Sequence, residues 1–274
     1  MTQTTFRDLH IPGSPFILAN AWDIGSAKLL AAMGAKALAS TSAGHAFTLG
    51  QKDMGDITRK QSLHHCADLV GATHLPVSGD LENGYGHTID DVVETIKGAA
   101  AVGLAGCCIE DSQLPSSTPY AFSTAVERIE AAAQAAKSLD KDFVLAARAD
   151  GVMNGHYDTK EAIRRLRAFE EAGADVLYAP IPPSMEALAE ICKSVNAPVN
   201  ALAAGPFAKY SLQDFANIGV ARISLGSALS RVIHSAIIDS ARQMFEDGDF
   251  SSFLGKAKAD EVEALFDQID LKNN

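Results

Sequence analysis

The chain has 274 residues, with 23 Lys+Arg against 34 Asp+Glu for a formal charge of −11, and it is 47% hydrophobic and 21% charged. That length and balance suit one large α/β domain and exclude a disordered chain, while the acidic excess excludes a binder of nucleic-acid backbone, which needs a basic patch. No apolar run reaches the roughly 18 residues needed to span a bilayer, because the longest candidate, 98–109, is shorter and interrupted by glycine. Arg7, Asp8 and His10 stand near the start with no hydrophobic stretch, so no secretion signal is expected. Cys66, Cys107, Cys108 and Cys192 form no CxxC pair and no framework spacing. Adjacent Cys107 and Cys108, inside an apolar stretch, read as small core residues, and a reducing cytoplasm is the expected location.

Along the chain, short apolar runs alternate with longer segments of helical period. A strand is expected over 16–20, then a helix over 25–33. Strand 35–40 precedes helix 59–71, strand 76–80 precedes helix 89–102, and strand 105–110 precedes helix 125–139. Strand 143–148 is followed by helix 160–172, strand 174–179 by helix 185–195, and strand 198–202 by helix 212–218. An eighth strand, 220–225, leads into two further helices, 227–245 and 252–271. Thr159 reads as an N-cap, and Gly103, Gly173 and Gly219 each close a helix where a left-handed residue is wanted. Eight βα units in roughly 225 residues is the arithmetic of a (β/α)8 TIM barrel, and no linker divides it. The chain is read as one domain over 1–274, with helices 227–274 in excess of what closure requires.

In such a barrel the chemistry lies at the C-terminal ends of the strands, and here those ends are polar. Strand one runs into Asn20-Ala21-Trp22-Asp23, and strand two into Ser40-Thr41-Ser42-Ala43-Gly44. Strand three ends in Asp80-Leu81-Glu82-Asn83-Gly84-Tyr85-Gly86, strand four in Glu110-Asp111, strand five in Arg148-Ala149-Asp150, and strand seven carries Asn200. Carboxylates from strands three and four that converge on one axis repel each other unless a cation separates them. All-oxygen ligation with room for water suits Mg²⁺ or Mn²⁺ better than Zn²⁺. Arg148 then offers a planar fork to an anionic substrate, a small carboxylic or phosphorylated acid. Each residue also has an ordinary reading: Asp80 as a turn residue, Arg148 as a structural ion pair, 110–115 as a polar loop. Their recurrence on successive strand ends favours the chemical one.

These motifs, together with Leu49-Gly50 and Asp53, resemble the isocitrate lyase / phosphoenolpyruvate mutase superfamily over nearly the whole chain. The Asp-x-Glu-x-Gly-Tyr-Gly segment at Asp80 is the most specific piece. The resemblance implies a barrel whose C-terminal helix swaps into a neighbouring subunit within a homotetramer, a dimer of dimers. It implies Mg²⁺, coordinated by Asp80 with Glu82 and Glu110 holding metal-bound waters, and an enolate of an α-keto acid as the shared intermediate. By the same resemblance Asp53 helps order the site, with Glu110 and Arg148 beside it in catalysis. Thr41, Ser42 and Ala43 cradle the keto acid, Arg148 pairs with its anionic end, Asn200 makes a polar substrate contact, and Trp22 is an aromatic side chain in the mouth.

Two departures narrow the reaction. Isocitrate-type lyases carry Lys-[Lys/Arg]-Cys-Gly-His on the loop after strand four, whereas residues 111–120 here contain neither Cys nor His, and Cys107 and Cys108 lie inside the strand. The Lys and Asn of phosphonomutase gates are absent as well. The chain is therefore most similar to the short bacterial branch. The expectation is a lyase or decarboxylase acting on a small α-keto or 2-hydroxy acid, with Ser116, Ser117, Thr118 and Tyr120 as gate hydroxyls. Phosphonate chemistry, as a mutase or hydrolase, is the alternative, and a non-catalytic acid-binding barrel is a second. His45 is a candidate to face the site, His87 is expected toward solvent, and His64-His65 are placed on an exposed helix.

Overall fold

The computed structural model describes residues 5–273. Eight parallel strands close into a barrel in sequence order: β1 (Phe16–Asn20), β2 (Ala37–Ala39), β3 (Val77–Asp80), β4 (Gly106–Glu110), β5 (Val144–Arg148), β6 (Val176–Tyr178), β7 (Val199–Leu202) and β8 (Arg222–Ser224). Closure is by β8 on β1, with Phe16 opposite Arg222. Every expected strand is present. Several are shorter than their apolar runs, because the ladder stops where the chain bends toward a helix.

Around the barrel run α1 (Ile24–Ala32), α2 (Ser42–Thr48), α3 (Arg59–Ala72), α4 (Ile89–Ala101), α5 (Phe122–Lys137), α6 (Thr159–Glu171), α7 (Met185–Ser194) and α8 (Leu212–Asn217). Side-chain caps fix most starts: Asp23, Thr58, Thr88, Ser184 and Ser211 each accept a backbone N–H of the first turn. The cap of α6 is Asp158, which accepts from the Glu161 N–H at 3.0 Å. Thr159 is the first helical residue instead, since the extended backbone a cap requires falls one position earlier. Gly103, Gly173 and Gly219 are left-handed, as their places at helix ends demand.

Two apolar layers result. Leu38, Leu69, Ile96, Leu145, Leu166 and Phe169 fill the space between barrel and helices. A smaller cluster inside the barrel joins Phe6 to Phe16, Leu18, Val144 and Val176 near the strand starts, so the N-terminal segment plugs the barrel floor.

The short α2 was not expected from the sequence, where 41–50 reads as a loop. The C-terminal pair begins as expected with α9 (Ala228–Arg242) and a widened turn at Gln243–Asp247, but α10 (Ala259–Asn273) starts seven residues later than the expected 252. Within the single chain α10 lies on α1: Lys28 pairs with Asp270 at 2.6 Å and sits over the Phe266 ring, and Ile269 is buried. Helix α9 leaves Val232, Ile233, Ile237 and Ile238 exposed. No helix among the described residues is long and apolar enough to cross a membrane.

Candidate active site

Neighbouring strand ends bring Asp80, Glu110, Arg148 and Asp150 together. The register places Glu110 directly opposite Arg148, and the guanidinium reaches three carboxylates: Glu110 at 2.7 Å, Asp150 at 2.6 Å and Asp80 at 3.5 Å. Burial opposes the Arg148 charge, but these three acids more than restore it. Burial also pushes Glu110 well above the usual carboxylate range, against the pull of Arg148.

Asp80 is held from the other side by α2. Its Oδ2 accepts from both the Ser42 N–H at 3.0 Å and the Ser42 hydroxyl at 2.9 Å, while its own N–H donates to the Ser40 hydroxyl. Thr41 caps α2 by accepting the Gly44 N–H, and Ala43 is the second residue of the helix. The expected cradle is thus a helix start whose Ser42 donors are already spent on Asp80.

Glu82 is buried and left-handed, with φ +50°. Burial, together with the charges of Asp80 and Asp53, raises its carboxyl to about 7. Asp53, on the segment after α2, is raised by burial and then by Asp80. The two results describe one crowded patch of negative charge. Among the described residues no three His, Cys, Asp or Glu side chains form a ready-made metal ligand set. The donors nonetheless suit a hydrated hard cation, which typically takes one or two protein carboxylates and keeps its waters.

Other expected site residues lie elsewhere. Trp22 lines a separate groove of about 530 Å³ beside α2 and α3, together with His45, His64 and His65. His45 stacks on His65 with ring centroids 3.9 Å apart, and both are buried, so neither His65 on α3 nor its partner is a solvent-facing histidine. Asn200 instead shares the axial cavity with Asp80 and Arg148, where it is buried, accepting from Arg222 Nε at 2.8 Å and donating to the Ser224 hydroxyl at 2.9 Å. His87 and Tyr120 bond to each other at 2.8 Å, and Asn83 donates to the same phenol. Tyr120 is therefore committed to the acidic loop rather than free on the gate. Ser117 meets His156 at 3.0 Å, which ties the gate to the loop after β5.

Sequence reasoning missed three supports. Arg128 of α5 donates to the carbonyls of Asn83, Gly86 and Thr88, clamping the loop that carries Glu82. Asp111 accepts from the Asp150 N–H and pairs with Arg165 at 3.0 Å, which locks β4 to β5. Arg222 lies on the barrel floor. All three are arginine contacts between residues more than 20 apart, and no local pattern announces them.

Fold and site together define a (β/α)8 barrel with an acid-lined mouth organised around one arginine. The chain belongs to the phosphoenolpyruvate mutase / isocitrate lyase superfamily, and the phosphoenolpyruvate phosphomutase family model matches residues 6–245. It is 30% identical to 2-methylisocitrate lyase of Halalkalibacterium halodurans, over 71% of this chain and 65% of that one. It is 29% identical to oxaloacetate decarboxylase of Paraburkholderia xenovorans, over 86% and 80%. Among solved structures, a Burkholderia cenocepacia J2315 protein assigned no more finely than lyase/mutase matches with a TM-score of 0.91 and 43% identity, covering 96% of this chain and 94% of that one.

Proposed function

We propose that this protein is a Mg²⁺- or Mn²⁺-dependent carbon–carbon lyase or decarboxylase acting on a small α-keto or 2-hydroxy acid. The observation that carries the reading is the convergence of Asp80, Glu110 and Asp150 on Arg148 at adjoining strand ends, with the buried Glu82 carboxyl in the charge field of Asp80. Asp80 would hold the cation, with Glu82 and Glu110 behind it. When bound, the cation supplies positive charge that stabilises negative charge developing on a substrate oxygen.

The remaining work falls to the chain. Arg148, at the centre of the acidic mouth, would offer its planar fork to the substrate carboxylate. Thr41 and Ala43 would orient the acid from the start of α2, with Ser42 holding Asp80 in place and Asp53 ordering the segment after α2. Glu82, buried beside Asp80 and Asp53, would accept from water held on the cation. The buried thiols do not replace the missing loop cysteine: burial pushes Cys108 up to about 12 and Cys107 well above its ordinary value. This supports decarboxylation or cleavage of a substituted malate, in which the departing carbanion is quenched by water. The four free cysteines fit a reducing cytoplasm. The apolar face of α9 fits exchange between subunits of a homotetramer.

Pyruvate release, coupled to lactate dehydrogenase with and without Mg²⁺, tests the reading across oxaloacetate, substituted malates, methylisocitrate and phosphonopyruvate. Metal-dependent pyruvate from a carbon acid is expected, and Asp80→Ala should abolish it while leaving the barrel folded. Pyruvate from phosphonopyruvate alone would move the assignment to phosphonate hydrolysis. Activity undiminished in Asp80→Ala would sink the metal site.

A further inference from the structure

Two arginines face the same axial cavity and are compensated very differently. Arg148, at the mouth, is gripped by three carboxylates. Arg222 begins β8 at the floor, is 3% exposed, and pairs with no carboxylate among the described residues. Its Nε donates to Asn200 Oδ1 at 2.8 Å and its Nη1 to His10 Nε2 at 3.4 Å. Both acceptors are neutral. Burial, then the charge of Arg222, pushes the His10 imidazole down to about 3, and its Nδ1–H is committed to the Phe6 carbonyl at 3.0 Å, so Nε2 is left to accept. The groups that act on Arg222 across the cavity are the Cys108 thiol and the Tyr178 phenol, neither of them a carboxylate.

A guanidinium carries five N–H donors and keeps its charge in proteins, so two hydrogen bonds leave about three donors unspent. An uncompensated buried charge is among the costliest features a core can contain. The space beside it is unusual too. Barrel interiors are ordinarily filled by bulky branched side chains, yet Ala39, Ser78 and Cys108 stand at this level, and a cavity of about 50 Å³ runs between the two arginines. One water needs about 10–15 Å³ on this scale, so a small ion with a water or two fits.

We infer that the barrel floor is an anion site, in which Arg222, flanked by Tyr178 and Ser224, takes a small monovalent anion: a free halide or the carboxylate end of a ligand entering from the mouth. The site supplies the counter-charge that the fold itself withholds from Arg222. It stands whether or not the mouth performs carbon–carbon chemistry.

Crystals of the native protein soaked in sodium bromide should show an anomalous peak beside Arg222. In thermal melts at fixed ionic strength, sodium chloride replacing sodium gluconate should raise Tm by about 3 °C per tenfold in anion above half-saturation. Arg222→Met should lose that increment. Oxalate titration separates the two sources. Chloride that weakens oxalate binding competitively assigns the floor to a ligand carboxylate, and chloride that leaves it unchanged assigns a resident halide. Either result supports the anion site. The idea is overturned if bromide gives no peak, oxalate places no density beside Arg222, and melts in chloride and gluconate coincide, which would mean water alone fills the cavity. The bromide and gluconate comparisons use the native chain, so they stand even if Arg222→Met fails to fold.

Discussion

Arg148 binds three acids through a planar fork, and that geometry distinguishes it from any other cation. Arg148→Lys keeps the charge but loses the fork, so the barrel should stay folded while kcat/KM falls on the order of 100-fold. Arg148→Ala leaves buried Glu110 and Asp150 and half-buried Asp80 without their cation and should cost about 3–5 kcal/mol by urea denaturation. An Arg148→Lys variant with native activity and stability would show that the charge alone matters. His10 makes a different prediction. Its folded value near 3 lies below the ordinary 6.5, chiefly through burial and then through Arg222. Its contribution to stability is therefore complete above pH 6.5 and is lost as pH falls toward 3. His10→Asn should flatten the acid limb of a stability–pH profile, by a few kcal/mol at most. A profile of unchanged slope between pH 6 and 4 would show that His10 does not control it.

At the scale of elements, the acidic loop after β3 depends on a helix that contributes nothing to the chemistry. Arg128 reaches from α5 to three of its carbonyls, and Glu82 and Tyr85 are both left-handed within it. Arg128→Met should lower stability by about 2–4 kcal/mol and weaken Mn²⁺ binding measured calorimetrically, because the loop relaxes its strained turns. Unaltered Mn²⁺ affinity in the folded variant would argue that the loop holds itself. The cap of α6 offers a smaller effect: Asp158→Ala should cost about 1 kcal/mol and Thr159→Ala much less, read from paired melts. Strand and helix order were legible because short apolar runs alternate with segments of helical period along the whole barrel, several of them joined through a helix-closing glycine such as Gly103, Gly173 or Gly219. Helix α2 was not, because Ser42-Ala43-Gly44 has little helical propensity and is held by the Thr41 cap and by Asp80, 38 residues away from Ser42.

For the whole molecule, closure of the barrel satisfies α1 to α8 but leaves the apolar side of α9 in water, with Ile237 59% and Val232 60% exposed. Exposed apolar area of this kind marks an association surface. Light scattering should give a tetramer, and Ile237→Asp should shift it to smaller species. A native chain that stays monomeric across concentration would remove subunit exchange from the picture.

The sequence by itself determined the eightfold alternation, the single barrel and the acids and arginine at its strand ends, because periodicity and strand-end position are local properties of a parallel βα chain. Only the tertiary structure decided which of those residues meet. It joined Asn200 to Arg222 inside the axial cavity, set Trp22 in another groove, committed Tyr120 to Asn83 and His87, and placed at the barrel floor an arginine with no carboxylate partner among the described residues. These outcomes rest on side chains brought together across more than 20 residues, and on how burial divides charge among them, which no window of sequence contains.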